Sequence, residues 1–313
     1  MKCLVLGGAG FLGTHLSNRL LNEENNVVTV FDREQGNYSN IKAIYDNLYV
    51  IKGDFDAEYD FHNLLEGQDV VYHLVSTTAP STSNINMIEE IEENIIPTIK
   101  LLEACVDMRI KKIIFLSSGG TVYGGKKNLP LKEDDVKTPI CSYGIQKLMI
   151  EKYIQLYHHM YGLDYRIVRL SNPYGLFQNP KGKVGAVTTF LWKMMHNERI
   201  TIYGDGSIIR DYIYVDDAID GILSIMKQVS DKKVFNLGSG IGYSLNDVVA
   251  EAEKVLGKKA EVFYEQKRKT DVAYNVLDIS RYVEVTGERP RTGLYEGMKK
   301  MASFYFGLGE FRG

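Results

Sequence analysis

The 313-residue chain is poor in cysteine and proline, has a single tryptophan, and carries no long apolar run. Cys3, Cys105 and Cys141 are an odd number without CxxC spacing, which argues against a disulfide framework or a zinc site and fits a reducing cytoplasm. No metal is expected. Seven prolines, with no low-complexity tract and no fixed-period repeat, set aside the disordered and fibrous classes. Nowhere do the roughly 18 consecutive apolar residues of a membrane-spanning helix occur, so no membrane role is expected. The first sixteen residues have Lys2 and apolar positions like a weak signal peptide. Four glycines break that run, and it reads as a strand followed by a glycine turn. An excess of one charge is also missing. Lys and Arg number 37 against 40 Asp and Glu, a net charge of −3, which leaves no electrostatic footprint for nucleic acid or an anionic surface. An anionic partner must be held by local charges.

What is present is a 44% hydrophobic chain long enough for one large domain or two unequal ones. Short β-branched runs recur at 3–6, 27–31, 48–51, 70–74, 113–116 and 166–170, the texture of buried parallel strands. Helical patterns alternate with them, notably Ile88, Ile91, Ile95 and Leu102, and the stretch 148–160. This alternation predicts an α/β fold with a doubly wound parallel sheet of the Rossmann type. Pro97 should bend the first of those helices or begin a new one. After Asn172 the chain becomes turn-rich, which predicts a Rossmann domain over 1–172, a returning segment near 211–237, and a smaller α/β substrate-binding domain over 173–313. Ser244 and Asp247 form a capping-box pattern opening a helix.

Gly7, Gly10 and Gly13 follow the first strand as GxxGxxG. Glycines there let backbone approach a pyrophosphate, whose charge is met by amides at a helix N-terminus. Tight strand–helix packing is the plainer use of such a run. Asp32 ends the second strand 19 residues later, where a carboxylate can bond both ribose hydroxyls of a dinucleotide. That carboxylate would repel a 2′-phosphate and so favours NAD over NADP, although Arg33 could stack on adenine or soften the preference. Asp54 and Phe55 after the third strand would set a carboxylate and a ring near the adenine, with turn chemistry the alternative.

Tyr143 and Lys147 stand four residues apart at the start of a helix and therefore share a face. An unperturbed phenol has a pKa near 10; a nearby ammonium and a positive nicotinamide ring both favour the phenolate, making Tyr143 a candidate base. Among 21 tyrosines a chance YxxxK is expected, and the upstream phosphate loop is what gives this one weight.

With Gly53–Asp54, His73–Leu74, Asn94, the run 116–124 (Leu-Ser-Ser-Gly-Gly-Thr-Val-Tyr-Gly), the run 169–175 (Arg-Leu-Ser-Asn-Pro-Tyr-Gly), the run 210–217 and Arg268 to Asp271, the chain resembles the extended short-chain dehydrogenase/reductases. Within them it is similar to the UDP-glucose 4-epimerase-like nucleotide-sugar enzymes, over almost its whole length. The resemblance implies that Phe11 and Leu12 offer amides to the pyrophosphate, that Val75, Ser76 and Asn94 line the NAD site, and that Ser117 touches the nicotinamide ribose. It also implies that Asn172 meets a phosphate or the sugar, that Arg210 and Arg268 grip the diphosphate, and that Asp271 holds the nucleotide ribose. Guanidinium forks pair well with phosphate oxygens, though surface ion pairs are an alternative use. One departure matters: the Ser or Thr usual four residues before Tyr123 is Gly119 here. Ser118 or Thr121 must replace it, and Ser118 is the better placed. Gly119 and Gly120 also remove the acidic pair of the related dehydratases.

The resemblance implies C4 epimerisation of a UDP-hexose or its N-acetyl derivative by way of a 4-ketose, in a homodimer joined by helices near 88–108 and 144–161. A nucleotide-sugar 4-ketoreductase would use the same residues. A non-catalytic NAD-binding protein on this fold is a further alternative, which the intact Tyr143 and Lys147 disfavour.

Overall fold

The computed structural model describes residues 1–43, 46–80, 83–125, 130–182, 185–266 and 272–307. The six β-branched runs are strands β1 (Lys2–Leu6), β2 (Val27–Asp32), β3 (Leu48–Lys52), β4 (Val70–His73), β5 (Lys112–Ser118) and β6 (Tyr165–Leu170). Cys3 to Leu6 and all of β6 are buried, which is why these stretches are apolar throughout instead of alternating. Adding β10 (Val234–Leu237), the large sheet runs β10-β6-β5-β4-β1-β2-β3 with every pairing parallel. This is the expected doubly wound Rossmann sheet. Its order reverses between β1 and β4, and the crevice at that reversal is where such sheets bind ligands.

Successive side chains of β1 point to opposite faces. Leu4 and Leu6 join a cluster with α2 (Phe61–Leu65), α3 (Met87–Asp107) and α4 (Ser142–Tyr161). Cys3 and Val5 join the other cluster with α1 (Phe11–Leu21) and α6 (Val215–Lys227). Pro97 does not start a new helix: α3 is continuous through it. The N–H that Pro97 lacks would have served the carbonyl of Glu93, an exposed residue, so the loss is small.

Beyond β6, the strands β7 (Asn172–Tyr174), β9 (Ile209–Tyr214), β11 (Gly242–Ser244) and β13 (Tyr274–Asn275) form a second sheet centred on β9. A two-stranded parallel pair joins β8 (Ile200–Tyr203) and β12 (Val262–Glu265). Helices α5 (Ala186–Met195), α7 (Leu245–Leu256) and α9 (Leu294–Gly307) pack together, while α8 (Ser280–Thr286) lies against β10 and α6. Their apolar residues, Val187, Val248 and Met298 among them, continue the cluster that begins at α1. No described helix is long and apolar enough to cross a membrane.

The capping box expected at α7 is present. Ser244 Oγ accepts from the Asp247 amide at 3.0 Å, and the Ser244 amide donates to the Asp247 carboxylate at 2.8 Å. Ser244→Ala should remove about 1 kcal/mol of stability, read as a lower urea midpoint with an unchanged slope.

Candidate active site

Gly7 has a φ of +78°, and a Cβ there would stand 3.2 Å from the Val75 nitrogen in the loop after β4. The two loops that flank the crevice therefore touch at backbone distance. At Gly13 a Cβ would lie 2.1 Å from the Gly7 carbonyl oxygen, so α1 can sit on the glycine turn only without a side chain. Gly10 is the N-cap of α1 and provides no side-chain cap, and the first helical amides, at Phe11 and Leu12, have no partner within the helix. They suit an anion. Asp32 accepts from the Ala9 amide at 2.9 Å and from the Arg33 amide at 2.8 Å. A carboxylate offers about four lone-pair positions, so room remains for two ribose hydroxyls. Arg33 and Asp54 are exposed beside this edge, as is Ser76. Together these features fit a dinucleotide.

Three expectations change. The Phe55 ring does not face a ligand; it is buried, 5.3 Å from the Phe61 ring centre and 5.2 Å from His73, because the apolar cluster under β4 takes it. Asn94 spends its amide on the loop: Oδ1 accepts from the Thr77 amide, while Nδ2 donates to Thr77 Oγ1 and to the Glu90 carbonyl. It ties the loop after β4 to α3. Ser117 turns its hydroxyl into the core, donating to Glu151 Oε1 at 2.5 Å.

Tyr143 and Lys147 face inward from the first turns of α4. The Lys147 ammonium donates to the Leu116 carbonyl at 3.0 Å and lies 4.8 Å from the Phe115 ring centre and 5.7 Å from that of Tyr143. Burial pushes Lys147 down to about 8, against the opposing charge of Glu151. It also pushes the Tyr143 phenol up to about 12, opposed by a hydrogen bond from Ser118. In the protein alone desolvation thus outweighs activation. The positive nicotinamide of oxidised NAD is the kind of charge that would reverse this. His73 beneath the pair is held neutral by burial and by Lys147, with a pKa lowered to about 3.

The Gly119 turn explains its own departure from the usual Ser or Thr. A Cβ at Gly119 would stand 2.6 Å from Leu277 Cδ1 and 3.1 Å from the Arg169 carbonyl. Leu277 fills the space a longer residue would need. Ser118, next in line, approaches the Tyr143 hydroxyl, while the Thr121 hydroxyl is buried without a hydrogen-bond partner. Gly144 brings the start of α4 against this turn, since its Cβ would meet the Thr121 carbonyl at 2.9 Å.

Asn172 on β7 and Arg210 on β9 lie on adjacent strands, and Asn172 Nδ2 donates to the Asp211 carbonyl at 2.9 Å. Asn275, which no motif pointed to, links them to the turn. It pairs with Arg210 across β13 and β9, and its Nδ2 donates to the carbonyls of Gly119 and Gly120 at 3.1 and 3.3 Å. Arg268 and Asp271 lie outside the described residues. Among the described residues no group of His, Cys, Asp and Glu is arranged to hold a metal ion.

Residues 3–238 match the model of the NAD dependent epimerase/dehydratase family. A putative UDP-glucose 4-epimerase of Methanocaldococcus jannaschii is 34% identical over 96% of this chain and 97% of its own. A dTDP-4-dehydro-6-deoxyglucose reductase of Escherichia coli is 30% identical over 95% of each. Among solved structures, UDP-glucose 4-epimerase of Thermotoga maritima with UDP-glucose superposes with a TM-score of 0.92 at 32% identity, covering 98% of this chain and 99% of that one. UDP-glucuronic acid 4-epimerase of Bacillus cereus with UDP-glucuronic acid and NAD gives 0.90 at 29% identity, covering 98% and 100%.

Gly119→Ser should cost about 1–3 kcal/mol through overpacking. In a double-mutant cycle with Leu277→Ala, urea unfolding should show the pair less destabilised than the two single changes summed, by about 1 kcal/mol or more. Strict additivity would mean that Leu277 is not what excludes the hydroxyl.

Proposed function

The chain belongs to the NAD-dependent epimerase/dehydratase family, and from that premise we propose that it inverts C4 of a nucleotide-diphosphate sugar, with Tyr143 as the group that moves the proton. The observation that supports this reading is an inward Tyr143 over Lys147, in a fold that also has a glycine turn suited to a pyrophosphate and Asn172 with Arg210 on adjacent strands of the second sheet. NAD, when bound, would supply the hydride chemistry at the sugar carbon. Gly7, Gly10, Gly13 and the amides of Phe11 and Leu12 would hold its pyrophosphate, and Asp32 its adenosine ribose.

Tyr143 takes the proton of the 4-hydroxyl as C4 is oxidised, with Ser118 hydrogen-bonded beside it and Lys147 supplying positive charge. The resulting 4-ketose must turn over before reduction from its other face. Tyr143 then returns the proton. The turn requires the sugar to be held loosely and the diphosphate tightly, a task suited to Arg210 and, by the family resemblance, Arg268, with Asp271 on the nucleotide ribose. Thr121, the other hydroxyl that could stand in for the one missing at 119, is buried without a partner in the protein alone, so Ser118 is the better placed of the two. The flat glycine pair at 119 and 120 leaves no carboxylic acid to expel water, which disfavours dehydration.

The E. coli relative makes single reduction of a 4-keto sugar the second reading. Retained cofactor distinguishes the two, because an epimerase regenerates NAD at each turnover. Incubated without added cofactor with UDP-glucose, UDP-N-acetylglucosamine, UDP-glucuronic acid and their dTDP and GDP counterparts, the protein should invert C4 of at least one, seen by proton NMR. Tyr143→Phe should slow this by about a thousandfold. No inversion of any sugar, together with no NAD released on denaturation, would overturn the epimerase reading.

The protein would act as a homodimer in a reducing compartment such as the cytoplasm, where its three buried, unpaired cysteines persist. Supporting the dimer is an apolar row left exposed on two helices that pack together: Ile88, 77% exposed, and Ile91 on α3, with Ile145, Leu156 and Met160 on α4. Large apolar side chains left exposed on neighbouring helices suit an interaction face. Ile88→Asp with Ile145→Asp should shift sedimentation from dimer to monomer; an unchanged dimer would place the contact elsewhere.

A further inference from the structure

Along α4, Tyr143, Lys147 and Glu151 recur at intervals of four and face the same way, but the proton transfer above uses only the first two. Glu151 is fully buried. Its Oε1 accepts from Ser117 Oγ at 2.5 Å and Arg169 Nε at 3.0 Å, and its Oε2 accepts from Arg169 Nη2 at 2.6 Å. Arg169, on β6, donates onward to the Tyr123 hydroxyl at 3.0 Å and to the Glu133 carbonyl at 2.9 Å. The Tyr123 hydroxyl in turn donates to Asn236 Oδ1 at 2.5 Å. A buried ion pair is a poor source of net stability, because desolvation takes back most of the attraction. Two apolar residues would hold the helix as well.

We infer that Glu151, fixed by Arg169, is a positioning residue for the reaction: one helical turn beyond Lys147 on α4 it favours the charged ammonium that the Leu116 carbonyl holds beneath Tyr143, and it ties the strand end carrying Ser117 and Ser118 to the same helix. The inference rests on the proton-transfer reading of Tyr143 and Lys147. Lys147 is enclosed by Tyr143 and Glu151 from its own helix, by the Phe115 ring and Leu116 carbonyl from β5, and by neutral His73 from β4. Glu151 is faced by Arg169 and more weakly by Tyr165 from β6, by Ser117 from β5, and by Lys137 from the loop before α4. Of the groups around Lys147, Glu151 is the carboxylate that raises its pKa against burial. Without it the ammonium deprotonates at lower pH, and the Tyr143 phenolate loses its cation.

The test compares wild type, Glu151→Gln and the double variant Glu151→Gln with Arg169→Met, which removes both charges and leaves neither stranded. On a sugar that wild type epimerises, the alkaline limb of the kcat profile should move down by about one pH unit in the variants. At pH 8.5 kcat should fall about tenfold, with KM within about twofold of wild type. A second readout needs no turnover. Lys147 titrates near its ordinary 10.5 when unfolded and near 8 when folded, so between those values the unfolded chain holds the extra proton and stability rises with pH. In the variants that rise should begin at lower pH in urea titrations.

A folded variant whose pH profile and stability onset superimpose on those of wild type overturns the inference. So does a double variant that cannot fold, since the pair would then be structural. A wild type inactive on every sugar at every pH overturns the proton-transfer reading and this one with it. An active wild type with unshifted variants overturns this one alone.

Discussion

The site depends on how closely two backbones approach at the crevice of the large sheet. Gly13 rests on the Gly7 carbonyl, and Gly7 rests on the amide of Val75, with no side chain between them at either contact. Those two contacts set α1, whose N-terminus has no side-chain cap, against the loop that follows β4. Asp32 closes the arrangement by accepting from Ala9, so the carboxylate proposed for the ribose and the glycine turn are one hydrogen-bonded unit. A methyl group at either contact would open the crevice before it altered any reacting residue.

On the other side of the crevice the balance is electrostatic. Burial makes the Tyr143 phenol a weaker acid and the Lys147 ammonium a stronger one, so both lean toward neutrality in the protein alone. Ser118 and Glu151 each oppose that tendency for one member of the pair. An arrangement poised in this way would respond to an incoming positive charge, since a cationic ring beside the phenol would favour its ionised form. The same two residues can therefore serve first as base and then as acid without moving.

The second sheet reaches the reacting turn through its shortest strand. β13 has two residues, yet Asn275 donates to the carbonyls of Gly119 and Gly120, and Leu277 just beyond it occupies the volume that a Ser or Thr at 119 would need. The second sheet and the glycine turn at 119 and 120 are thus fitted to one another. The absence of a hydroxyl at 119 is a consequence of that packing and not a gap in the site.

The strands of the large sheet were legible from the chain because parallel strands buried on both faces must be apolar throughout, and the GxxGxxG turn, Asp32 and the Tyr143–Lys147 spacing were legible because each reflects local geometry of one turn or one helix face. The capping box at Ser244 was readable for the same reason. Of the two outcomes open at Pro97, a bend or a new helix, the new helix does not occur, because the penalty depends on where the orphaned carbonyl stands, here at exposed Glu93. Phe55, Asn94 and Ser117 were assigned by position in a motif, but their neighbours in space, Phe61 and His73, Thr77, and Glu151, claimed their side chains. Asn275 and Leu277 left no local signal at all. Sequence alone determined which residues had to be small, apolar or paired on a helix. Where two distant segments compete for one volume or one hydrogen bond, only the tertiary structure decided, since that outcome depends on distances the chain order does not contain.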